Sequence, residues 1–218
     1  MRIAILGTGI VGNTLGTALI AKGHDVKIGS RTATNEKASE WTKSNGSKAS
    51  QGTFEDAAKF GEIIFNCTKG EYSLDALHAA GAANLANKIL IDVSNPLDFS
   101  KGMPPTLFLV NDTSLGETIQ NAFPETKVVK ALNTLTCSLM IDANKLADGD
   151  HNIFICGNDV DAKQKVKELL HDNFNWKTEN IIDLGDITNS RGTEQLLPIW
   201  IRLFGTLGTA DFNFKIVR

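Results

Sequence analysis

After a charged second residue the chain runs through four apolar positions, Ile3-Ala4-Ile5-Leu6. A run this short and this continuous predicts a strand covered on both faces, as in a parallel sheet. The pattern turns helical over Asn13–Lys22 and stops at Gly23, a common C-cap residue. A second strand is expected over His24–Gly29, then a helix over Asn35–Asn45 closing at Gly46. A short polar strand (Ser47–Gln51), a brief helix from a Thr53 cap through Lys59 and a buried strand (Glu62–Cys67) come next. A helix over Glu71–Leu85 and a strand over Lys88–Val93 continue the alternation. The stretch around Met103-Pro104-Pro105 has no clear period. Ser114 caps a helix to Ala122, with Glu117 at the capping-box position, and Val128–Leu132 reads as the next strand.

Beyond Asn152 the pattern weakens: strand Ile153–Cys156, helix Ala162–His171, strand Ile181–Leu184, and a helix from near Thr193 to Leu207. The last helix carries Leu196, Leu197, Ile199, Trp200, Ile201, Leu203 and Phe204, so both its faces need cover. Part would come from the sheet and part from another subunit. Alternating strands and helices predict an α/β fold with a doubly wound, mostly parallel sheet, a Rossmann fold with a C-terminal α/β extension. Residues 1–136 would form the core and 137–218 the extension, packed as one unit. Ligands bind at the carboxyl ends of such strands. That directs attention to Thr8–Val11, Ser30-Arg31, Thr68-Lys69-Gly70, Asn95-Pro96 and Asn133-Thr134.

The first of these segments is Gly7-Thr8-Gly9-Ile10-Val11-Gly12, a G-x-G-x-x-G turn between strand and helix. Its first glycine permits the tight turn, its second lets a pyrophosphate approach the backbone, and its third lets helix and strand pack closely. The helix N-terminus adds free N–H groups and partial positive charge. An NAD site would carry an acid at the end of the second strand to bond the ribose 2′-hydroxyl. Here Ser30 and Arg31 stand instead, a hydroxyl and a guanidinium suited to a 2′-phosphate. The implied dinucleotide is NADP(H), with Thr32 and Lys37 near enough to add to the pocket.

Composition narrows the setting. The 218 residues are 42% hydrophobic and 22% charged, ordinary for a globular protein. The net charge of −3, without a basic cluster, argues against nucleic acid as a partner. Cys67, Cys137 and Cys156 sit in apolar contexts and read as buried, reduced thiols, which suits the cytoplasm. A core strand directly after Met1-Arg2 leaves no room for a signal peptide, and no apolar run approaches the ~18 residues of a membrane span.

Catalytic groups are harder to find. A short-chain dehydrogenase needs Tyr-x-x-x-Lys, but the single tyrosine, Tyr72, is followed four residues on by Ala76. His24, His78, His151 and His171 are scattered near helix ends or loops and read as surface residues without zinc-ligand spacing. A β-hydroxyacid dehydrogenase would need a long helical domain after the sixth strand, and the chain is too short for one. Lys130 lies inside a strand and reads as structural. Reducing a carbonyl calls for a proton donor, whereas a flavin-like ring spreads the charge it receives. The pattern therefore favours hydride transfer between two flat rings held face to face.

The segments RIAILGTGIVGNTLGTAL, IGSR, DVSNPLD, VVKALNTL, FICGND, IIDLGDITNSRGTEQLLPIWI and FGTLG together are similar to the F420-dependent NADP oxidoreductases. The NADPH-binding domain of the STEAP metalloreductases is a relative of that family. The resemblance implies that Gly7, Thr8, Gly9, Ile10, Val11 and Gly12 hold the pyrophosphate, and Ser30 and Arg31 the 2′-phosphate. Thr68, Asn95 and Pro96 would flank the nicotinamide ribose. The backbone of Ala131, Leu132 and Asn133 would fix the carboxamide beside a slot for F420 or a flavin. The family often has an apolar residue and a proline after the fourth strand, where this chain has Cys67-Thr68-Lys69-Gly70. The family also tends to dimerise, so a homodimer is expected. Two alternatives stand beside this oxidoreductase reading: a non-catalytic NADPH-binding module that senses redox state, and a small imine or keto reductase.

Overall fold

The computed structural model describes residues 1–218. The first strand, β1 (Arg2–Leu6), leads into α1 (Ile10–Ala21), and β2 (Asp25–Ser30) into α2 (Glu36–Asn45). They are followed by β3 (Ala49–Thr53), α3 (Phe54–Phe60), β4 (Ile63–Asn66), α4 (Ser73–Ala80), α5 (Ala82–Leu85) and β5 (Ile89–Asp92). A small antiparallel hairpin, β6 (Leu97–Asp98) with β7 (Thr106–Leu107), precedes α6 (Leu115–Ala122), β8 (Lys127–Ala131) and α7 (Cys137–Met140). The chain closes with β9 (Ile153–Cys156), α8 (Val160–Phe174), β10 (Ile181–Asp183), α9 (Ser190–Gln195) and α10 (Leu197–Leu207).

The main sheet has the order β10-β9-β8-β5-β4-β1-β2-β3. Every neighbouring pair is parallel except β8–β9, so the expected Rossmann architecture is present with its last two strands, β9 and β10, running opposite to the other six. Successive strand residues face opposite sides. Ile3 and Ile5 join the cluster that packs Leu15, Leu19, Trp41 and Val166, from α1, α2 and α8. Ala4 and Leu6 join the other cluster, with Phe54, Leu77 and Ile119 from α3, α4 and α6. The chain moves outward from β1 to β2 and β3, then returns to the other side of β1 as β4. The crevice between the carboxyl ends of β1 and β4 is therefore the switch point at which such folds bind ligands.

Several expectations need correction. The Glu71–Leu85 helix is broken at Gly81, whose φ of 88° no helix tolerates. The polar strand begins at Ala49, because Gly46–Lys48 forms one turn of 3-10 helix. The stretch without a period contains the β6–β7 hairpin, whose two-residue strands are too short to leave a pattern. His151 is buried rather than on the surface: its Nε2 donates to the Ala143 carbonyl at 2.9 Å, and its Nδ1 accepts from Asn213 Nδ2 at 2.7 Å. Cys156 is buried, but Cys67 and Cys137 are only half-buried.

The last helix also departs from expectation. It divides at Leu196 into α9 and α10, and in α10 only Leu197 is buried. Ile199, Phe204 and Leu207 stand 47%, 42% and 54% exposed, so the sheet does not supply the cover this helix lacks. Residues beyond α10 turn back to the start of β9, where Asn152 N donates to the Phe214 carbonyl and Ile216 N to Asn152 Oδ1. This return stacks Phe212 on Trp200, ring centroids 5.2 Å apart. No helix is long and apolar enough to cross a membrane.

Candidate functional site

The glycine turn behaves as its spacing predicts. Gly7 has φ 118°, and a Cβ there would lie 2.7 Å from the Cys67 carbonyl oxygen. A Cβ at Gly12 would lie 2.6 Å from the Gly7 carbonyl oxygen, so a side chain would push α1 off the turn. Gly9 differs, since a Cβ built on it meets nothing within 4 Å. Its backbone faces open space at the switch point. No side chain caps α1 and no acid lies in its first turn, which leaves the first-turn N–H groups available to an anion. Thr8, Gly9 and Ile10 also line a groove of about 630 Å³ that runs down α1 past Asn13 to Lys37 and Ile141.

At the end of β2, Arg31 is exposed and makes no ion pair. Ser30 is buried, and its hydroxyl already donates to the Thr32 carbonyl at 2.7 Å. The guanidinium is thus free to meet a phosphate, while the hydroxyl can help only as an acceptor or after turning.

The loops after β4, β5 and β8 are tied into one surface. Gly70 lies so close to the loop after β5 that a Cβ would come within 2.0 Å of the Asn95 carbonyl oxygen. Asn95 Nδ2 donates to the Asn133 carbonyl at 2.8 Å, and Asn133 Nδ2 returns a bond to Asn95 Oδ1 at 2.9 Å. Phe108 N donates to the Pro96 carbonyl at 2.9 Å, fixing the hairpin beside the same loop. Thr68 turns inward, its Oγ1 donating to Asn66 Oδ1 at 2.7 Å.

Beneath this surface lies a buried polar cluster. Lys130 Nζ is 2.8 Å from Asp92 Oδ2 and 2.7 Å from Glu194 Oε1, and it donates to the Ser94 carbonyl at 2.6 Å. Burial lowers the pKa of the Lys130 ammonium, but Asp92 and Glu194 outweigh burial and hold it above its ordinary value. The structural reading of Lys130 is therefore explained by partners distant in sequence. Burial also pushes up the thiols of Cys67 and Cys156, the latter to about 12, so neither is a ready nucleophile.

The end of β8 carries two further signals. Leu132 holds φ 61°, a left-handed conformation uncommon for a branched residue, and next to it Asn133 Oδ1 is buried without a hydrogen-bond partner. Strain beside an orphaned acceptor is characteristic of a binding surface. An open glycine cradle, a free guanidinium and an unmatched acceptor along one sheet edge fit a phosphorylated dinucleotide. The sequence motifs pointed to the turn, Arg31 and the loops. They could not reveal the Lys130 cluster, because Glu194 arrives from the far end of the chain.

Comparison with known proteins bears on the same edge. The family model described as NADP oxidoreductase, coenzyme F420-dependent, matches residues 2–96, from β1 through the Asn95-Pro96 loop. Over 213 residues the chain is 34% identical to the F420-dependent NADP reductase of Methanocaldococcus jannaschii, covering 93% of this chain and 92% of that one. The chain belongs to the F420-dependent NADP reductase family. A crystal structure from Arthrobacter sp. FB24, described as a candidate F420-dependent NADP reductase, is 52% identical over the whole of both chains with a TM-score of 0.93. The metalloreductase STEAP3 of Rattus norvegicus is 32% identical over 206 residues, which are 91% of this chain but 38% of that protein. The likeness to the F420-dependent reductases is thus end to end, and in STEAP3 it covers one part of a longer protein.

Proposed function

We propose that the chain is an NADP(H)-dependent oxidoreductase that passes a hydride between NADPH and coenzyme F420, with flavin-like rings as a second acceptor class. The observation that carries the reading is the joining of the glycine turn, the Asn95-Pro96 loop and the Ala131–Asn133 segment at one edge of the sheet. A dinucleotide lying across the β1/β4 crevice would place its pyrophosphate over Gly9 and its nicotinamide toward Asn95 and Asn133. Arg31, with Ser30 behind it, would take the 2′-phosphate. Thr68, Asn95 and Pro96 would flank the nicotinamide ribose, and the backbone of Ala131, Leu132 and Asn133 the carboxamide.

NADPH supplies the hydride from its nicotinamide ring. The protein's part is to orient: the joined loops hold one ring so that a second flat ring can meet it at contact distance. No general acid is assigned, because an acceptor ring of this type delocalises the charge it gains. The unpaired cation at residue 31 supports NADP(H) over NAD(H). Kinship with the Methanocaldococcus jannaschii reductase supports F420 as the acceptor. Residues 1–136 would be the nucleotide-binding part and 137–218 its extension. The uncovered face of α10 supports a homodimer, and the unpaired cysteines suit the cytoplasm.

The test is NADPH oxidation by the purified protein with F420, FMN, FAD and a ferric chelate in parallel. Turnover fastest with F420 is expected. Tight NADPH binding without oxidation by any acceptor would refute the enzyme reading and leave a non-catalytic, NADPH-binding sensor.

A further inference from the structure

An ammonium has three hydrogens to donate, and Lys130 has an acceptor for each: Asp92 Oδ2, Glu194 Oε1 and the Ser94 carbonyl. Its side chain and that of Asp92 are wholly buried, and that of Glu194 nearly so. Lys130 therefore has no hydrogen left for a substrate, and its chemistry is spent on holding.

The charges around it are balanced in an unusual way. Two carboxylates against one ammonium would leave a buried excess of negative charge. Glu194 relieves that excess by accepting from Leu115 N at 2.8 Å and Gly116 N at 3.0 Å, the first N–H groups of α6. Asp92 Oδ1 in turn accepts from Ser94 Oγ at 2.6 Å, Ser94 N at 3.2 Å and Asn66 Nδ2 at 2.9 Å. Ser94 is consequently gripped at its amide, its hydroxyl and its carbonyl. The next residue is Asn95, whose side chain holds the Asn133 carbonyl and Nδ2, which leaves Asn133 Oδ1 buried and unmatched.

A buried ion pair is weak evidence for stability, since apolar side chains of similar volume often hold strands together as well. What an ammonium adds is a fixed position for a carbonyl. We propose that Lys130, braced by Asp92 and Glu194, is a positioning residue for the nicotinamide half of the dinucleotide. It fixes the Ser94 carbonyl, and through Asn95 it sets the place of the Asn133 acceptor. Because Glu194 belongs to α9, the C-terminal helices take part in shaping this half of the site. The inference rests on the placement of the nicotinamide under Proposed function.

The experiment compares calorimetric affinities for NADPH and for 2′,5′-ADP, which shares the phosphorylated adenosine half but lacks the nicotinamide. The proteins are the parent, Lys130→Met/Glu194→Gln and Glu194→Gln. The double variant should weaken NADPH about fivefold to tenfold, the worth of a lost hydrogen bond or two, and leave 2′,5′-ADP within about twofold. A double variant that keeps the parent's ratio of affinities, or weakens both ligands equally, overturns the proposal. If the double variant does not fold, Glu194→Gln keeps the shape of the side chain and decides the question alone. It should weaken NADPH selectively by about twofold to threefold, and an unchanged ratio is again fatal. A parent that binds 2′,5′-ADP as tightly as NADPH overturns instead the placement of the nicotinamide at these loops.

Discussion

Asn95 and Asn133 hold each other by opposed hydrogen bonds, amide to backbone carbonyl in one direction and amide to amide in the other. Each side chain serves the bond it makes to the other, so their removal should not be additive. Asn95→Ala and Asn133→Ala should each cost about 1–2 kcal/mol, and the double variant only slightly more than either alone. Urea unfolding of the four proteins in the cycle measures the coupling. A double variant as costly as the sum of the singles would show that the loops are held by something else.

The glycines of the first turn should separate binding from folding. Gly9→Ala places its methyl in open space and should leave stability within about 0.5 kcal/mol. The same methyl intrudes where the pyrophosphate would lie, so NADPH binding should fall at least tenfold, about 1.4 kcal/mol. Gly12→Ala meets the Gly7 carbonyl and should cost about 1–3 kcal/mol of stability. Thermal unfolding beside calorimetric titration distinguishes the two classes.

Arg31→Ala should weaken NADP⁺ about tenfold while barely affecting NAD⁺, since an exposed charge pair of this kind is worth roughly 1–2 kcal/mol. Thermal shifts with each dinucleotide give the comparison. Equal shifts for NADP⁺ and NAD⁺ in the parent would refute the role of the guanidinium.

A pH effect is expected at Glu117. Arg191 grips its carboxylate through Nε at 2.8 Å and Nη2 at 2.5 Å, and this contact holds the Glu117 pKa below its ordinary value against the opposing effect of burial. A carboxyl whose folded pKa is depressed stabilises the fold above the unfolded value, near 4.3, and loses that contribution as pH falls through the folded value. Arg191 is partly open to solvent, so Glu117→Gln should cost no more than about 1 kcal/mol at neutral pH. That gap should close in acid. A gap that stays constant in urea titrations from pH 7 to pH 3 would count against the pair.

The exposed face of α10 gives the remaining prediction. Ile199→Asp with Leu207→Asp should convert the expected homodimer to a monomer in sedimentation velocity, because both side chains stand in solvent in the single chain. Catalysis by the monomer would then show whether the site is complete within one chain.

Much of the sheet was legible because its central strands are buried on both sides. IAIL, EIIFNC and KILIDV admit no amphipathic helix, and their glycine and asparagine punctuation marks the loops between them. Arg31 was legible for a similar reason, since its position relative to the glycine turn is set by one strand–helix–strand unit. The break at Gly81 is masked in the sequence because the apolar period continues beyond it, so periodicity alone predicts one helix. Other features depend on encounters that no local pattern encodes. His151 is buried only because Ala143 and Asn213 meet its ring, and Lys130 is saturated only because α9 returns to the carboxyl edge. The hydroxyl of Ser30 is engaged by the carbonyl of Thr32, a bond set by how the loop after β2 turns and not by residue type.

The contact between Gly70 and the Asn95 carbonyl limits how this protein can be altered. Libraries aimed at changing the acceptor would naturally vary the loop after β4, which borders the proposed nicotinamide site. Lys69 is exposed and can be randomised there, but any side chain at position 70 would wedge the two loops apart. A glycine retained at position 70 among selected variants would record that geometric limit rather than a preference for one acceptor.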